Sequence, residues 1–140
     1  MAYDFSKFIS AQEHSYQTAL AEMKAGHKTS HWIWYIFPQL KQLGKSQTAV
    51  YYGIENLDEA RAYLENEILR NRLIEISQAV SELPGENITY IMGSRTDELK
   101  LCSCMTLFHL ADPTIDVFKK VLDKYFDGNL DEKTVKFCEK

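Results

Sequence analysis

The chain has 140 residues, 45% hydrophobic and 26% charged, a composition that suits one compact domain spanning residues 1–140 and excludes a disordered chain or a two-domain enzyme. With 16 basic against 20 acidic side chains, the formal charge is −4, so bulk charge offers no attraction to nucleic acid or to an anionic membrane surface. Aromatic residues make up 12% of the chain and crowd unevenly along it.

From Asp4, apolar positions at Phe5, Phe8, Ile9, Tyr16, Ala19, Leu20 and Met23 fall at helical steps. Asp4 is the expected N-cap and Gly26 the expected stop. The apolar run from Ser30 to Leu40 suits a buried strand or a buried helix by periodicity alone. No later segment offers a partner strand, so the expectation is a short helix capped by Thr29 or Ser30 and ended before Pro38. Ser46 caps a short helix to Tyr52. Asn56 or Asp58 opens a long helical stretch to about Leu83, interrupted near Glu65-Asn66-Glu67 by a kink or a new cap at Asn66, and stopped by Pro84-Gly85.

Ile88 to Met92 reads as an apolar connector. Ser94-Arg95-Thr96-Asp97 reads as a capping box that opens a helix from Asp97 to about Leu110. A further helix is expected from Thr114 to Phe126, and after Gly128-Asn129 a last short one through Phe137. The fold class is therefore all-α, a single multi-helix domain.

Three cysteines, Cys102, Cys104 and Cys138, form an odd set without repeated spacing, which argues against a disulfide framework and for a reducing compartment. The segment Met1 to Lys7 lacks a basic-then-apolar leader, and no run approaches the ~20 apolar residues of a spanning helix, so the expected location is cytoplasmic, away from membranes. Four histidines, His27 falling after the stop of the first helix and His31 and His109 on other elements, predict no metal site, and nothing in the sequence asks for a cofactor. Gly44-Lys45-Ser46 mimics the end of a phosphate-binding loop, but Gln39 stands where that motif needs its first glycine; a glycine turn followed by a serine cap explains it better.

Two segments carry candidate chemistry. On a helix, His31, Trp34 and Tyr35 share one face, while Ile33, Ile36 and Phe37 take another, so one side can bury itself and the other can line a cavity. Trp32 and Trp34 each bring an indole N–H that wants a partner, although both could simply sit in the core. In the second segment Asp97, Lys100 and Ser103 form a polar line, with Leu101, Met105 and Phe108 on the core side. A lysine and a hydroxyl on adjacent turns can hold a phosphate or carboxylate; the plain alternative is a helix start with a solvated lysine.

Taken together, His31-Trp32-Ile33-Trp34-Tyr35-Ile36-Phe37-Pro38-Gln39, Leu43-Gly44-Lys45-Ser46, Asp58 to Leu64 and Asp97-Glu98-Leu99-Lys100 running into Ser103-Cys104-Met105-Thr106-Leu107-Phe108 resemble a mainly bacterial family, the domain-of-unknown-function family numbered 1810. The likeness runs over nearly the whole chain. It implies a mainly helical fold and a signature of His31, Trp32, Trp34, Gln39, Asp97, Lys100, Ser103 and Thr106, but no reaction. Members sometimes carry the label calpastatin; inhibitors of that name are disordered, whereas this composition folds. The family often has a His-Pro step near Glu65-Asn66-Glu67, so the resemblance implies a slightly different kink there.

Two functions compete. In the first, a ligand-binding protein or enzyme takes a small anionic, nucleotide- or sugar-phosphate-like compound: Trp32 or Trp34 stacks on a ring, Lys100 and Ser103 hold the anionic group, and His31 or Asp97 handles a proton. In the second, a non-catalytic interaction module uses its aromatics as core or as contact residues. They separate on whether His31, Trp34, Lys100 and Ser103 converge on one cavity. The oligomeric state is not legible in the sequence.

Overall fold

The stripe that begins at Phe5 winds into α1 (Ser6–Ala25), whose buried side chains include Phe8, Gln12, Tyr16, Ala19, Leu20 and Met23. In this computed structural model, which describes residues 3–139, the first residue before the helix is Phe5, and Asp4 acts one position earlier than expected: its Oδ1 accepts the Ser6 N–H (2.9 Å). Met1 and Ala2, part of the segment read for a leader, lie outside the described residues, as does Lys140. Gly26 ends α1 at φ 86°, a left-handed position that glycine occupies without a Cβ penalty.

The aromatic run supplies only one helical turn, α2 (Ile33–Ile36), and neither Thr29 nor Ser30 caps it. The reason is a carboxylate outside the segment. Glu22, one turn before the end of α1, accepts the Thr29 and Ser30 N–H groups (2.8 and 3.0 Å), the Ser30 hydroxyl (2.6 Å) and the Trp32 indole N–H (2.9 Å). The Ser30 hydroxyl thus donates to Glu22 instead of accepting from the helix.

After one 3₁₀ turn (Lys41–Leu43) come α3 (Gln47–Tyr51), α4 (Leu57–Glu65) and α5 (Glu67–Ser81); Ser46 caps the first as the sequence predicts, and of the alternatives it leaves open Asn56, not Asp58, caps the second and Asn66 the third. Asn66 both ends α4 and caps α5, so the interruption is a true break. The predicted connector is itself helical: α6 (Ile88–Met92) has Asn87 as its cap and Gly93 as its left-handed stop. Helix α7 (Arg95–Ala111) starts two residues before the expected Asp97, and α8 (Val117–Tyr125) starts three after Thr114, which is held in a turn by Asp112. The chain closes with α9 (Glu132–Cys138), capped by Asp131.

Helix α7 is the axis, packing on α4, α6, α8 and α9, while α5 joins α1 to α8. It is buried nearly all round, through Leu101, Cys104, Met105, Leu107 and Phe108, as a central helix should be. A chain of aromatic contacts runs through the core from Phe8 to Tyr63 (5.4 Å between ring centres), to Phe108 (5.0 Å) and on to Phe118 (6.1 Å). These edge-on and tilted pairs add about 0.5–1.5 kcal/mol each beyond area burial. This chain of contacts accounts for four of the 17 aromatic side chains.

One irregular contact shapes the site. The Lys41 N–H donates to the Ile54 carbonyl (2.8 Å) and the Ile54 N–H to the Gln39 carbonyl (2.9 Å), an isolated parallel bridge between Leu40 and Ile54. Gly53 permits it, because a Cβ there would lie 2.4 Å from the Lys41 Cα. The bridge fixes the loop that carries Gln39 to Lys45 against the domain. Among the described residues no helix is long and apolar enough to cross a membrane.

Candidate functional site

The first turns of α7 meet the aromatic segment through charge. The Lys28 side chain is almost enclosed, with its ammonium 2.9 Å from Asp97 Oδ2, 2.6 Å from the Ser30 carbonyl and 5.0 Å from the centre of the Trp32 ring. The Lys28 N–H also donates to the Ile91 carbonyl (2.7 Å), and the left-handed Gly93 leaves room for the Lys28 carbonyl, which a Cβ would approach to 3.0 Å. A buried lysine is tolerated only when paired and hydrogen-bonded, and this one has both.

Asp97 therefore does not return the Ser94 favour. Ser94 Oγ accepts the Asp97 N–H (3.1 Å), but the Asp97 carboxylate faces two lysines: Lys28 at 2.9 Å and Lys100 at 3.8 Å, the latter beyond hydrogen-bonding distance. The Lys100 ammonium lies 5.4 Å from the Trp34 ring centre, a cation–π contact, and the Trp34 indole N–H is buried with no hydrogen-bond partner among the described residues. The two indoles differ in kind. Trp32 is 1% exposed and tied to Glu22; Trp34 is half-buried beside a lysine.

Burial alone would raise the Glu22 carboxyl, but hydrogen bonds from Ser30, Thr29 and Trp32 outweigh it and hold the group down at about 2. Glu22 is thus an anchor that stays ionised at neutral pH.

Lys100 opens onto a cleft of about 970 Å³, within the size range of small-ligand sites. One wall is the bridged loop with Gln39, Lys45 and Ser46; the floor is α7 with Lys100, Cys102 and Ser103; the far wall is the turn after α8 with Phe126, Asp127 and Asp131. The far wall is pinned to α7 by Thr106, whose Oγ1 donates to the Cys102 carbonyl (2.8 Å) and accepts the Asp131 N–H (2.9 Å). A smaller hollow of about 470 Å³ between the end of α1 and α5, edged by Glu75, Gln78 and Glu82, lies apart from these residues.

Of the sequence candidates, Gln39, Lys100 and Ser103 line the cleft; Trp34 and Asp97 contact Lys100 but are not part of the lining, so His31, Trp34, Lys100 and Ser103 do not all meet in one cavity. Ser103 is buried and its hydroxyl donates to the Leu99 carbonyl (3.1 Å), which leaves only its oxygen lone pairs for a ligand. Trp32 is enclosed, and His31 sits on the surface outside the cleft lining. Lys28 and Glu22 went unrecognised in the sequence, since each lies in a different element from the side chains it holds. Ser46 does cap α3 through Ala49 N–H (3.1 Å), yet Lys45 and Ser46 also line the cleft.

Burial and the nearby Asp131 push the Cys102 thiol up to about 11, so this cleft cysteine is a protonated, weakly reactive thiol at neutral pH.

These features define an all-helical protein with a charged, aromatic-backed cleft beside its central helix. The chain belongs to the family described as "Protein of unknown function (DUF1810)", whose profile matches residues 2–138. It is similar to the conserved hypothetical protein Rv1873 from Mycobacterium tuberculosis, a solved crystal structure, with 42% identity and a TM-score of 0.96 over 99% of this chain and 98% of that one. No curated protein matches it.

Proposed function

We propose that the chain binds a small anionic organic ligand, of the sugar-phosphate or nucleotide class, with the anionic group at Lys100. The observation that carries this reading is the pairing of Lys100 and Trp34: among the described residues, an ammonium held 3.8 Å from its nearest carboxylate, at the floor of a cleft, over an indole whose own N–H is unpaired. An incoming oxyanion would give the ammonium the hydrogen-bonded partner that Asp97 does not supply. Gln39, Lys45 and Ser46 on the adjoining wall add donors for the same group.

The roles differ from a simple stacking site. Trp32 holds the aromatic segment to Glu22, Asp97 sets the charge around Lys100, and His31 lies too far out on the surface to take part. The competing reading, an interaction module without a polar site, would leave Lys100 in solvent; its side chain retains 21% exposure.

Calorimetric titration with ribose 5-phosphate and with inorganic phosphate tests the proposal. Ribose 5-phosphate is expected to bind below millimolar Kd, and Lys100→Met to weaken it about tenfold or more, the scale of one charge-assisted hydrogen bond. Trp34 fluorescence, isolated in a Trp32→Phe background, is expected to report the same transition. Folded wild-type protein that binds neither anion, or a Lys100→Met variant that binds as wild type does, overturns it.

A further inference from the structure

The cleft has two unlike ends. The first, around Lys45, Ser46 and Lys100, is cationic and rich in donors. At the second, two of the carboxylates are already committed: Glu98 to Arg95 and Thr89, Asp131 to the Thr134 N–H (3.0 Å) as the cap of α9. Asp127, Glu132 and the cation Lys133 are not so committed, and of the three only Asp127 directly follows an aromatic residue. Among the described residues no ion pair engages it, and it stands exposed on the cleft wall next to the half-buried Phe126.

Its backbone is also unusual. Asp127 is the one non-glycine residue with positive φ (55°) among those described, and it leads into a left-handed Gly128 whose N–H returns to the Leu122 carbonyl (2.9 Å). Aspartate, like asparagine, is among the few side chains that adopt this conformation readily. This left-handed turn ends α8 and, in doing so, places the Asp127 carboxylate on the cleft wall directly after Phe126.

Resting on the reading of Lys100 as the anion site, we infer that the cleft takes a nucleoside monophosphate, with its phosphate at Lys100 and Lys45 and its base at Phe126 and Asp127. A carboxylate accepts hydrogen bonds and donates none, so it selects a ring that presents N–H groups; guanine, with two adjacent N–H donors on one edge, is the best match. The Phe126 ring offers that base an apolar face. The cleft volume of about 970 Å³ holds a mononucleotide.

Calorimetry with guanosine 5′-monophosphate, ribose 5-phosphate and inorganic phosphate on the full chain separates the two ends. The nucleotide is expected to bind at least tenfold tighter than ribose 5-phosphate, and that ratio to fall towards one in Asp127→Asn and in Phe126→Leu. Asparagine tolerates the left-handed backbone, so Asp127→Asn reports the loss of the charge without a change of turn. Thermal unfolding identifies either variant that fails to fold. Equal affinity for the nucleotide and ribose 5-phosphate in wild type, or an unchanged ratio in folded Asp127→Asn, overturns this inference while leaving the anion site standing. Failure of all three compounds to bind overturns both.

Discussion

Lys28 and Asp97 grip each other at 2.9 Å with both side chains largely enclosed, and this contact sets what Lys100 has left to offer. One carboxylate lies between two ammonium groups. Because Lys28 takes the short contact, Lys100 is left at 3.8 Å, close enough to be oriented but not bound.

Replacing Lys28 with methionine exposes that division of labour. A buried carboxylate that loses its partner costs about 3 kcal/mol, or about 10 °C in Tm for a domain of this size. Asp97 is then expected to close on Lys100, and affinity for ribose 5-phosphate to fall about tenfold as the ammonium is taken up. Pairing Lys28→Met with Asp97→Asn should restore most of both losses. Melting curves and titrations of the two single variants and the double variant measure the coupling; additive losses in the double variant would show that the contact does not control Lys100.

Glu22 predicts a particular acid response. Its carboxyl is held at about 2 in the folded protein but titrates near 4.5 once unfolded. Between those values the unfolded chain binds the extra proton, so the stability Glu22 confers is complete above about pH 5 and drains away as pH falls towards 2. In Glu22→Gln the stability at pH 7 should drop and the curve between pH 5 and 2 should flatten. Urea unfolding midpoints across that range supply the test, and parallel curves for the two proteins would refute the role. Trp32 fluorescence should shift along with them, since its N–H loses the carboxylate.

Gly53→Ala tests the cleft wall. The new Cβ would need to sit 2.4 Å from the Lys41 backbone, so the bridge between Leu40 and Ile54 must open. A forced backbone shift of this kind costs about 1–3 kcal/mol. The expected signature is a loss of ligand affinity larger than that of an equally destabilising core change, such as Ile76→Ala in α5, outside the cleft lining. Equal affinities in the two variants would mean that the bridged loop does not shape the site.

The helices were legible where a local rule governs them. Ser46, Asn56, Asn66 and Ser94 each satisfy an N–H three residues on, a bond that lies within reach of the sequence itself. The errors fall where a distant group intervenes. Ser30 reads as a cap because nothing nearby shows that Glu22, eight residues back, will claim its hydroxyl. Asp97 reads as the second half of a capping box because Lys28 is far away in sequence. Ile88 to Met92 was too short for its period to separate a helix from a connector. In the candidate site, composition brought out Trp34 and Lys100, whereas the far wall at Phe126 and Asp127 is visible only once Thr106 is seen holding Asp131 against α7.

Cys102 offers a direct view of the cleft. Its thiol is pushed up to about 11 by burial and by Asp131, so about one molecule in a thousand carries the reactive thiolate at pH 8. Alkylation by iodoacetamide should therefore be slow at pH 8 and rise about tenfold for each pH unit until pH nears 11. Peptide mass spectrometry resolves Cys102 from Cys138, whose thiol is raised by burial but lies outside the cleft lining. Saturating ribose 5-phosphate should slow Cys102 alone at pH 9, because only that sulfur shares the cleft with Lys100 and Ser103. If both cysteines were protected equally, the ligand would be acting on global stability. Protection of Cys102 that disappears in Lys100→Met would tie the thiol, the ammonium and the anion to one site.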